Sequence, residues 1–208
     1  MTYSDLRRQL SAAIAGRARA TLSLDGFRRA GVLVPVVFAP DGPELLFTRR
    51  TEEVLSHKGQ ISFPGGMAEE SDRDITRTAL READEELGLA EGDFEILGLL
   101  DDHATPSGFV ITPVLGLAPE RPVIRPNAGE VAETFYVPLA FFASTENLTT
   151  EQRFFLGRTQ DVWFYDTGTH VIWGATAAII RGLLERLSTF AYPVEKKDRP
   201  RRPPRKGD

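Results

Sequence analysis

Four acidic residues fall within five positions of one segment: Glu82, Asp84, Glu85 and Glu86. On a helix, Glu82 lies about one turn before Glu85 and Glu86, so these three share a face while Asp84 points to another side. Like charges at this spacing repel each other, and clustered carboxylate oxygens are the ligands that Mg²⁺ and Mn²⁺ prefer. Taken alone, the cluster is typical of a solvated acidic face, which is common, and the alternative is a metal-binding helix. The neighbouring residues favour the metal-binding helix.

The charge of the chain is divided between an acidic body and a basic tail. Of the 25 Lys and Arg and the 30 Asp and Glu, residues 195–208 hold seven and three, which leaves −9 for residues 1–194 against −5 for all 208 residues. An acidic body is a poor nucleic-acid binder, but it can hold cations. Because the chain has no Cys, thiol nucleophiles and cysteine-ligated metal sites are excluded.

The acidic cluster belongs to a helix that the sequence predicts over residues 71–87. Ser71 is the expected N-cap, and Gly88 stands where a left-handed C-cap belongs. The apolar stripe at helical spacing consists of Ile75, Ala79, Ala83 and Leu87. Just upstream, Phe63-Pro64-Gly65-Gly66 breaks the chain, and its glycines let the backbone approach a phosphate or a helix closely.

Apolar runs and turn residues predict the remaining elements. Strands are expected at 32–39 and 44–48, which form a hairpin, at 94–100, 109–117 and 134–137, and at 161–166 and 170–173, which form a second hairpin. A closing helix is expected over 175–187. We expect one domain over residues 1–194, followed by a disordered basic tail at 195–208.

The N-terminal segment predicts an amphipathic helix over about residues 4–20, with Ser4 as its cap. Its arginines also resemble those of a transit peptide, although Asp5 argues against that alternative. The segment lacks the apolar core of a signal peptide, and no run approaches the ~18 apolar residues of a membrane span. We therefore expect a cytoplasmic protein that binds neither membranes nor nucleic acid. The alternative is that the basic tail binds nucleic acid or an anionic membrane.

From the glycine turn onward, the chain resembles the Nudix box, G-x5-E-x7-R-E-U-x-E-E-x-G-U, where U is apolar. The box spans residues 66–89, with matches at Gly66, Arg81, Glu82, Ala83, Glu85, Glu86, Gly88 and Leu89. Its middle departs from the pattern, because Asp72 replaces the first Glu and eight residues, not seven, separate it from Arg81. Asp72 is therefore not assigned the role of that Glu.

A second motif resembles the Nudix subfamily that hydrolyses coenzyme A, approximately LLTxRSx3Rx3Gx3FPGG. Here residues 46–66 read LFTRRTEEVLSHKGQISFPGG. Leu46, Thr48, Arg50, Gly59 and residues 63–66 match, whereas Leu55 stands where the second Arg is expected. Stretches at 111–116, 130–139 and 173–183 are also similar, so the resemblance runs from about residue 30 to 187.

The resemblance implies an α/β fold, the Nudix α/β/α sandwich with a mixed sheet, and a metal-dependent pyrophosphohydrolase. It implies Glu82 and Glu86 as ligands of Mg²⁺ or Mn²⁺, and Glu85 as a further ligand or base. Glu130 is a candidate outside the box for metal or base work, and Arg81 is expected to orient a box carboxylate. The substrate side is expected to comprise Arg50, His57, Lys58, Gln60, Gly65 and Gly66.

The implied reaction is hydrolysis of the diphosphate of coenzyme A or its derivatives to 3′,5′-ADP and 4′-phosphopantetheine or its acyl form. Because Leu55 replaces an expected Arg, another nucleoside diphosphate derivative such as ADP-ribose stays open as the substrate. A non-catalytic Nudix-fold binding module is the second alternative. The partner is thus a small molecule, and a homodimer is left open.

Overall fold

The computed structural model describes residues 1–52 and 59–187. The described residues form four α-helices: α1 (Tyr3–Ala15), α2 (Ile75–Leu87), α3 (Leu139–Ala143) and α4 (Gly174–Arg186). The strands are β1 (Arg28–Ala39), β2 (Gly42–Arg50), β3 (Ile61–Ser62), β4 (Gly65–Met67), β5 (Glu95–Leu99), β6 (His103–Ala104), β7 (Phe109–Ala118), β8 (Val131–Pro138), β9 (Leu148–Phe155), β10 (Arg158–Asp166) and β11 (Val171–Trp173). None of the described helices is both long and apolar enough to cross a bilayer.

Eight of the strands form one mixed sheet. Its main path is β3-β2-β1-β7-β5, with β4 beside β1, β6 beside β7 and β8 beside β2. β1 and β7 run parallel, with Val32 opposite Pro113, whereas β1 and β2 form the predicted antiparallel hairpin. The other three strands form an antiparallel sheet in the order β11-β10-β9.

The apolar run of β1 faces helices on both sides of the mixed sheet. Leu33 and Val37 pack in a core with α2, whereas Val32, Val34 and Val36 pack in a second core with α1 and α4. This division follows from the alternation of side chains along a strand. The result is the expected α/β/α sandwich with a mixed sheet.

The first helix is shorter than predicted and has a different cap. α1 begins at Tyr3, and Thr2 caps it by accepting a hydrogen bond from the Asp5 amide at 3.1 Å. The Asp5 carboxylate accepts one from the Thr2 amide in return, which completes a capping box. The helix ends at Ala15 rather than near residue 20, because the following chain runs beside Asp101, which accepts a hydrogen bond from the Ala20 amide at 2.7 Å.

The predicted start of the acidic helix was also wrong by about one turn. Asp74, not Ser71, caps α2 by accepting from the Arg77 amide at 2.9 Å. The preceding residues form a turn in which the Asp72 amide donates to the Glu69 carbonyl, so they are not free to extend the helix. Gly88 ends α2 in the left-handed conformation, with φ of 64°.

Candidate active site

A glycine in β1 sets the position of the acidic helix. A Cβ at Gly31 would lie 2.7 Å from the Ile75 carbonyl oxygen and 3.1 Å from the Ala79 amide nitrogen, so only glycine allows α2 to pack this closely. Ala79 and Ala83 are fully buried in the resulting contact. The close packing brings the acidic face of α2 to the ends of β2 and β4.

Glu86 is the acidic side chain most deeply enclosed by these elements, with 3% of the residue exposed. Its carboxylate accepts hydrogen bonds from Nη1 of Arg50 at 3.1 Å and from the Gly65 amide at 3.3 Å. Burial raises the pKa of Glu86 to about 7, with Arg50 acting against it and repulsion by Glu82 and Glu130 adding to it. A carboxyl group in this setting gives up its proton more readily when positive charge is added.

Glu82 lies one turn earlier on α2, against the second glycine of the turn. A Cβ at Gly66 would overlap the Glu82 carboxylate, so the absence of a side chain there makes room for the acid. Burial raises the pKa of Glu82 above its usual range, and repulsion by Glu85 and Glu130 adds to this effect. Repulsion of Glu82 by Glu85 and Glu130, and of Glu86 by Glu82 and Glu130, therefore links these four carboxylates into one acidic region.

Arg81 connects the carboxylates on the outer side of this region. Its guanidinium donates to both oxygens of Asp72 at 3.1 Å, to Glu82 at 2.9 Å and to Glu85 at 3.2 Å. A further bond of 3.0 Å reaches the Met67 carbonyl. These contacts suit a residue that orients carboxylates, and they leave Arg81 few donors for a substrate.

Asp72 lies where Arg81 can use both of its carboxylate oxygens. Its side chain is 4% exposed, and the hydrogen bonds from Arg81 lower its pKa to about 2. Thr78 donates a further bond to it at 2.9 Å. Asp72 thus anchors Arg81 despite the altered spacing of the box, a contact that the sequence did not predict.

Glu130 is supplied by a loop that docks on the C-terminal end of α2. The Arg125 amide donates to the Leu87 carbonyl at 2.7 Å, and the Asn127 amide donates to the Glu86 carbonyl at 2.8 Å. The carboxylate of Glu130 lies 4.0 Å from Nη2 of Arg50. Sequence reasoning missed this docking, and the turn-forming residues Asn127 and Gly129 were its only local signal.

The chemistry of the acidic region suits a divalent cation, although its carboxylates are spaced too widely to coordinate one ion together. Among residues 1–52 and 59–187, no three acidic or histidine side chains lie close enough together to hold a metal ion. Instead, Arg50 and Arg81 supply the positive charge at Glu86 and Glu82. Half-buried and buried carboxylates with raised pKa values are hard oxygen donors that a cation would stabilise in their charged form, so the donor set fits Mg²⁺ or Mn²⁺.

Of the other predicted substrate residues, one lies beside this region and two fall outside the residues that the structure describes. The Gln60 carbonyl accepts a hydrogen bond from the Arg50 amide at 3.0 Å, so Gln60 lies next to the site through its backbone. His57 and Lys58 fall outside the described residues, as does Leu55. Arg49 belongs to a different cluster, in which its Nε donates to Glu133 at 2.9 Å.

The comparisons with known proteins identify one family. The family model described as NUDIX domain matches residues 27–164. An "Uncharacterized Nudix hydrolase NudL" from Photorhabdus laumondii is 39% identical over 166 residues, which cover 78% of this chain and 87% of the relative. The NudL of Pectobacterium atrosepticum is 42% identical over 164 residues, 77% of this chain and 83% of the relative. Among solved structures, a Nudix hydrolase from M. smegmatis, RenU, is 25% identical to this chain and superposes with a TM-score of 0.46. The match covers 56% of this chain and 74% of the RenU chain.

Proposed function

Since the chain belongs to the Nudix hydrolase family and is thus an enzyme acting on pyrophosphate bonds, we propose that its substrate is coenzyme A or a coenzyme A derivative. Hydrolysis of the diphosphate gives 3′,5′-ADP and 4′-phosphopantetheine or its acyl form. The coenzyme A motif at 46–66 supports this choice within the family, since it extends the resemblance beyond the general Nudix box.

The observation that carries the proposal is the contact between the two motifs. Arg50 belongs to the upstream motif and Glu86 to the Nudix box, and their side chains are hydrogen-bonded at 3.1 Å. The upstream motif therefore contributes a guanidinium group to the same region as the acids proposed to bind the metal. A guanidinium next to a metal site is suited to a diphosphate, whose oxygens it binds in pairs.

Glu82 and Glu86, with Glu85 or Glu130 as a further ligand, would hold the Mg²⁺ or Mn²⁺ that Nudix hydrolases generally use. When bound, the cation neutralises the diphosphate and polarises a phosphoryl oxygen. Side chains of the protein bind the substrate and move the proton. Arg50 binds phosphate oxygens, and Glu85 or Glu130 accepts the proton of the attacking water. Arg81 and Asp72 hold the box carboxylates in place.

A substrate panel tests the proposal. The kcat/KM of the purified enzyme is measured with coenzyme A, acetyl-coenzyme A, ADP-ribose and a nucleoside triphosphate, each with Mg²⁺ and with Mn²⁺, and products are identified by mass spectrometry. We expect a coenzyme A compound to exceed ADP-ribose by at least about tenfold, or about 1.4 kcal/mol of transition-state stabilisation.

Two outcomes of the same panel would contradict the proposal. Turnover of ADP-ribose that equals or exceeds that of coenzyme A would assign the enzyme to another nucleoside diphosphate derivative. Binding of these compounds without turnover under either metal would favour the non-catalytic module. The cytoplasmic location expected from the sequence stays a prediction.

A further inference from the structure

The three-stranded sheet ends in β9, whose outer edge pairs with no strand among the described residues. β9 (Leu148–Phe155) pairs along its length with β10, from Leu148 opposite Tyr165 to Phe155 opposite Arg158. Within residues 1–52 and 59–187, no strand pairs with the other edge of β9. Such an edge presents backbone N–H and C=O groups that a further strand can use.

Two of the features that usually prevent pairing, Pro and Lys, are absent from this edge, although it carries the charges of Glu151 and Arg153. β9 reads LTTEQRFF and contains neither Pro nor Lys. At its far end, Phe154 is 75% exposed and Leu156, in the turn that follows, is 49% exposed. The free edge therefore leads directly into exposed apolar side chains, which gain by burial in a contact.

The charges of β9 are arranged symmetrically about Gln152. Glu151 and Arg153 flank it, share one face of the strand because they are two residues apart, and form an ion pair of 2.9 Å. If a second β9 runs antiparallel to the first with the two Gln152 residues opposite each other, each Glu151 stands opposite Arg153 of the second copy. Opposite charges placed directly across an antiparallel pair are favourable.

The same register places the two phenylalanines of β9 opposite threonines, of which Thr150 is already buried in its own chain and Thr149 is half-buried. Phe154 stands opposite Thr150 of the second copy, and Phe155 stands opposite Thr149. Pairs of aromatic and β-branched side chains across two strands stabilise a sheet. A register displaced by one residue would lose the charge pairing, whereas a phenylalanine would still stand opposite a threonine. The charges of Glu151 and Arg153 are therefore what select this alignment.

We propose that β9 is a dimerisation edge, and that its partner is β9 of a second copy of this chain. A two-fold axis through the Gln152 pair joins the two three-stranded sheets into one six-stranded antiparallel sheet. The interface is isologous, since the same strand contributes both sides. The ion pair now formed within each strand is exchanged for two ion pairs between the strands.

A charge exchange tests this register by sedimentation velocity over a range of protein concentrations. Glu151→Arg places Arg opposite Arg and should raise the dimer dissociation constant at least about tenfold. Adding Arg153→Glu restores opposite charges and should return the constant to within about threefold of the wild-type value. Asp41→Arg, an equal charge change at an exposed turn, is the matched control and should leave it unchanged.

A cysteine cross-link tests the position of the axis, because the chain contains no Cys of its own. Gln152→Cys places two thiols opposite each other and should give a covalent dimer on mild oxidation. Thr159→Cys, exposed on β10 of the same hairpin, should remain largely monomeric. Thermal unfolding of each variant confirms that it is folded.

Both experiments must agree for the proposal to stand. It is overturned if the wild-type chain stays monomeric at the highest concentration used, or if the double exchange fails to restore the dimer lost in the single variant. It is equally overturned if Gln152→Cys cross-links no faster than Thr159→Cys.

Discussion

Arg50 and Glu86 form a hydrogen-bonded ion pair of 3.1 Å between the end of β2 and the buried face of α2. The pair joins a residue of the upstream motif to a residue of the Nudix box across 36 positions of sequence. The positive charge of Arg50 opposes the effect of burial on the pKa of Glu86. In the proposed function, substrate binding by Arg50 and metal binding by Glu86 would therefore depend on two side chains in direct contact.

Arg50→Ala should raise the KM for the diphosphate substrate by at least about tenfold, because one bidentate phosphate contact is lost. The neighbouring Arg49→Ala is the matched control, since Arg49 is paired with Glu133 rather than with the acids of α2. Steady-state kinetics of both variants check this. Equal effects of the two substitutions would contradict a phosphate-binding role of Arg50.

Glu86 should make the metal-free protein less stable as the pH rises. Its pKa is about 7 in the folded chain against a usual 4.5, so the folded state holds this proton more tightly than the unfolded state does. The resulting stability is fully present below pH 4.5 and is lost as the pH rises through about 7, with a magnitude on the order of 3 kcal/mol.

Urea unfolding in the presence of a chelator, at pH 5 and pH 8, measures this effect. Glu86→Gln should lose less stability than the wild type between the two pH values, because the amide does not titrate. Glu85→Gln, at an exposed position of the same helix, should keep the wild-type dependence. An unchanged dependence in Glu86→Gln would show that Glu86 is ionised throughout this range.

Gly66→Ala should reduce activity more than stability. The added Cβ would displace the carboxylate of Glu82, which is the movable end of a side chain, so the fold can adjust while the metal ligand moves. Gly31→Ala should do the reverse, since its Cβ meets the Ile75 carbonyl of the α2 backbone at 2.7 Å. Overpacking of this kind costs about 1–3 kcal/mol, or roughly 2–4 °C in Tm for each kcal/mol.

The two glycine variants are compared by thermal unfolding and by kcat/KM on the same preparations. We expect Gly66→Ala to lose at least about tenfold in kcat/KM with a Tm near that of the wild type. A Tm loss in Gly66→Ala as large as that in Gly31→Ala would mean that Glu82 cannot move aside.

Divalent cations should raise the Tm of the wild-type protein, because a ligand that binds only the folded state stabilises it by mass action. The gain is about 2.7 kcal/mol at a concentration one hundred times the Kd. Glu82→Gln should lose most of this gain and abolish turnover while remaining folded. Asp84→Asn, exposed on another side of α2, is the control and should retain both. Turnover of more than a few per cent in Glu82→Gln would contradict the metal assignment.

Local sequence patterns were sufficient to predict the family, the acidic helix and most of the strands. Periodicity located α2 and its left-handed end at Gly88, and the apolar run at 32–39 lies within β1. These features are local, because spacing and turn chemistry act within a few residues. Strand β9 and helix α3 were not predicted, since a polar edge strand and a short helix carry weak local patterns.

Which charged groups come into contact depends on how the distant segments pack. Spacing placed Glu82, Glu85 and Glu86 on one face of a helix, but only packing around Gly31 made Glu86 buried while Glu85 stayed exposed. The pairing of Asp72 with Arg81, and of Arg50 with Glu86, joins residues whose separation along the chain says nothing of their distance in space. The roles of His57, Lys58 and the basic tail, which lie outside the described residues, stay predictions.

Local elements could be predicted and tertiary contacts could not, because the interactions that form them act over different distances along the chain. Helix periodicity, capping and turn preference depend on neighbours in sequence, so they can be read from the residues alone. The pKa of Glu86 depends on how completely β2, β4 and the loop at 125–130 enclose it, and that enclosure exists only once the distant segments have packed together.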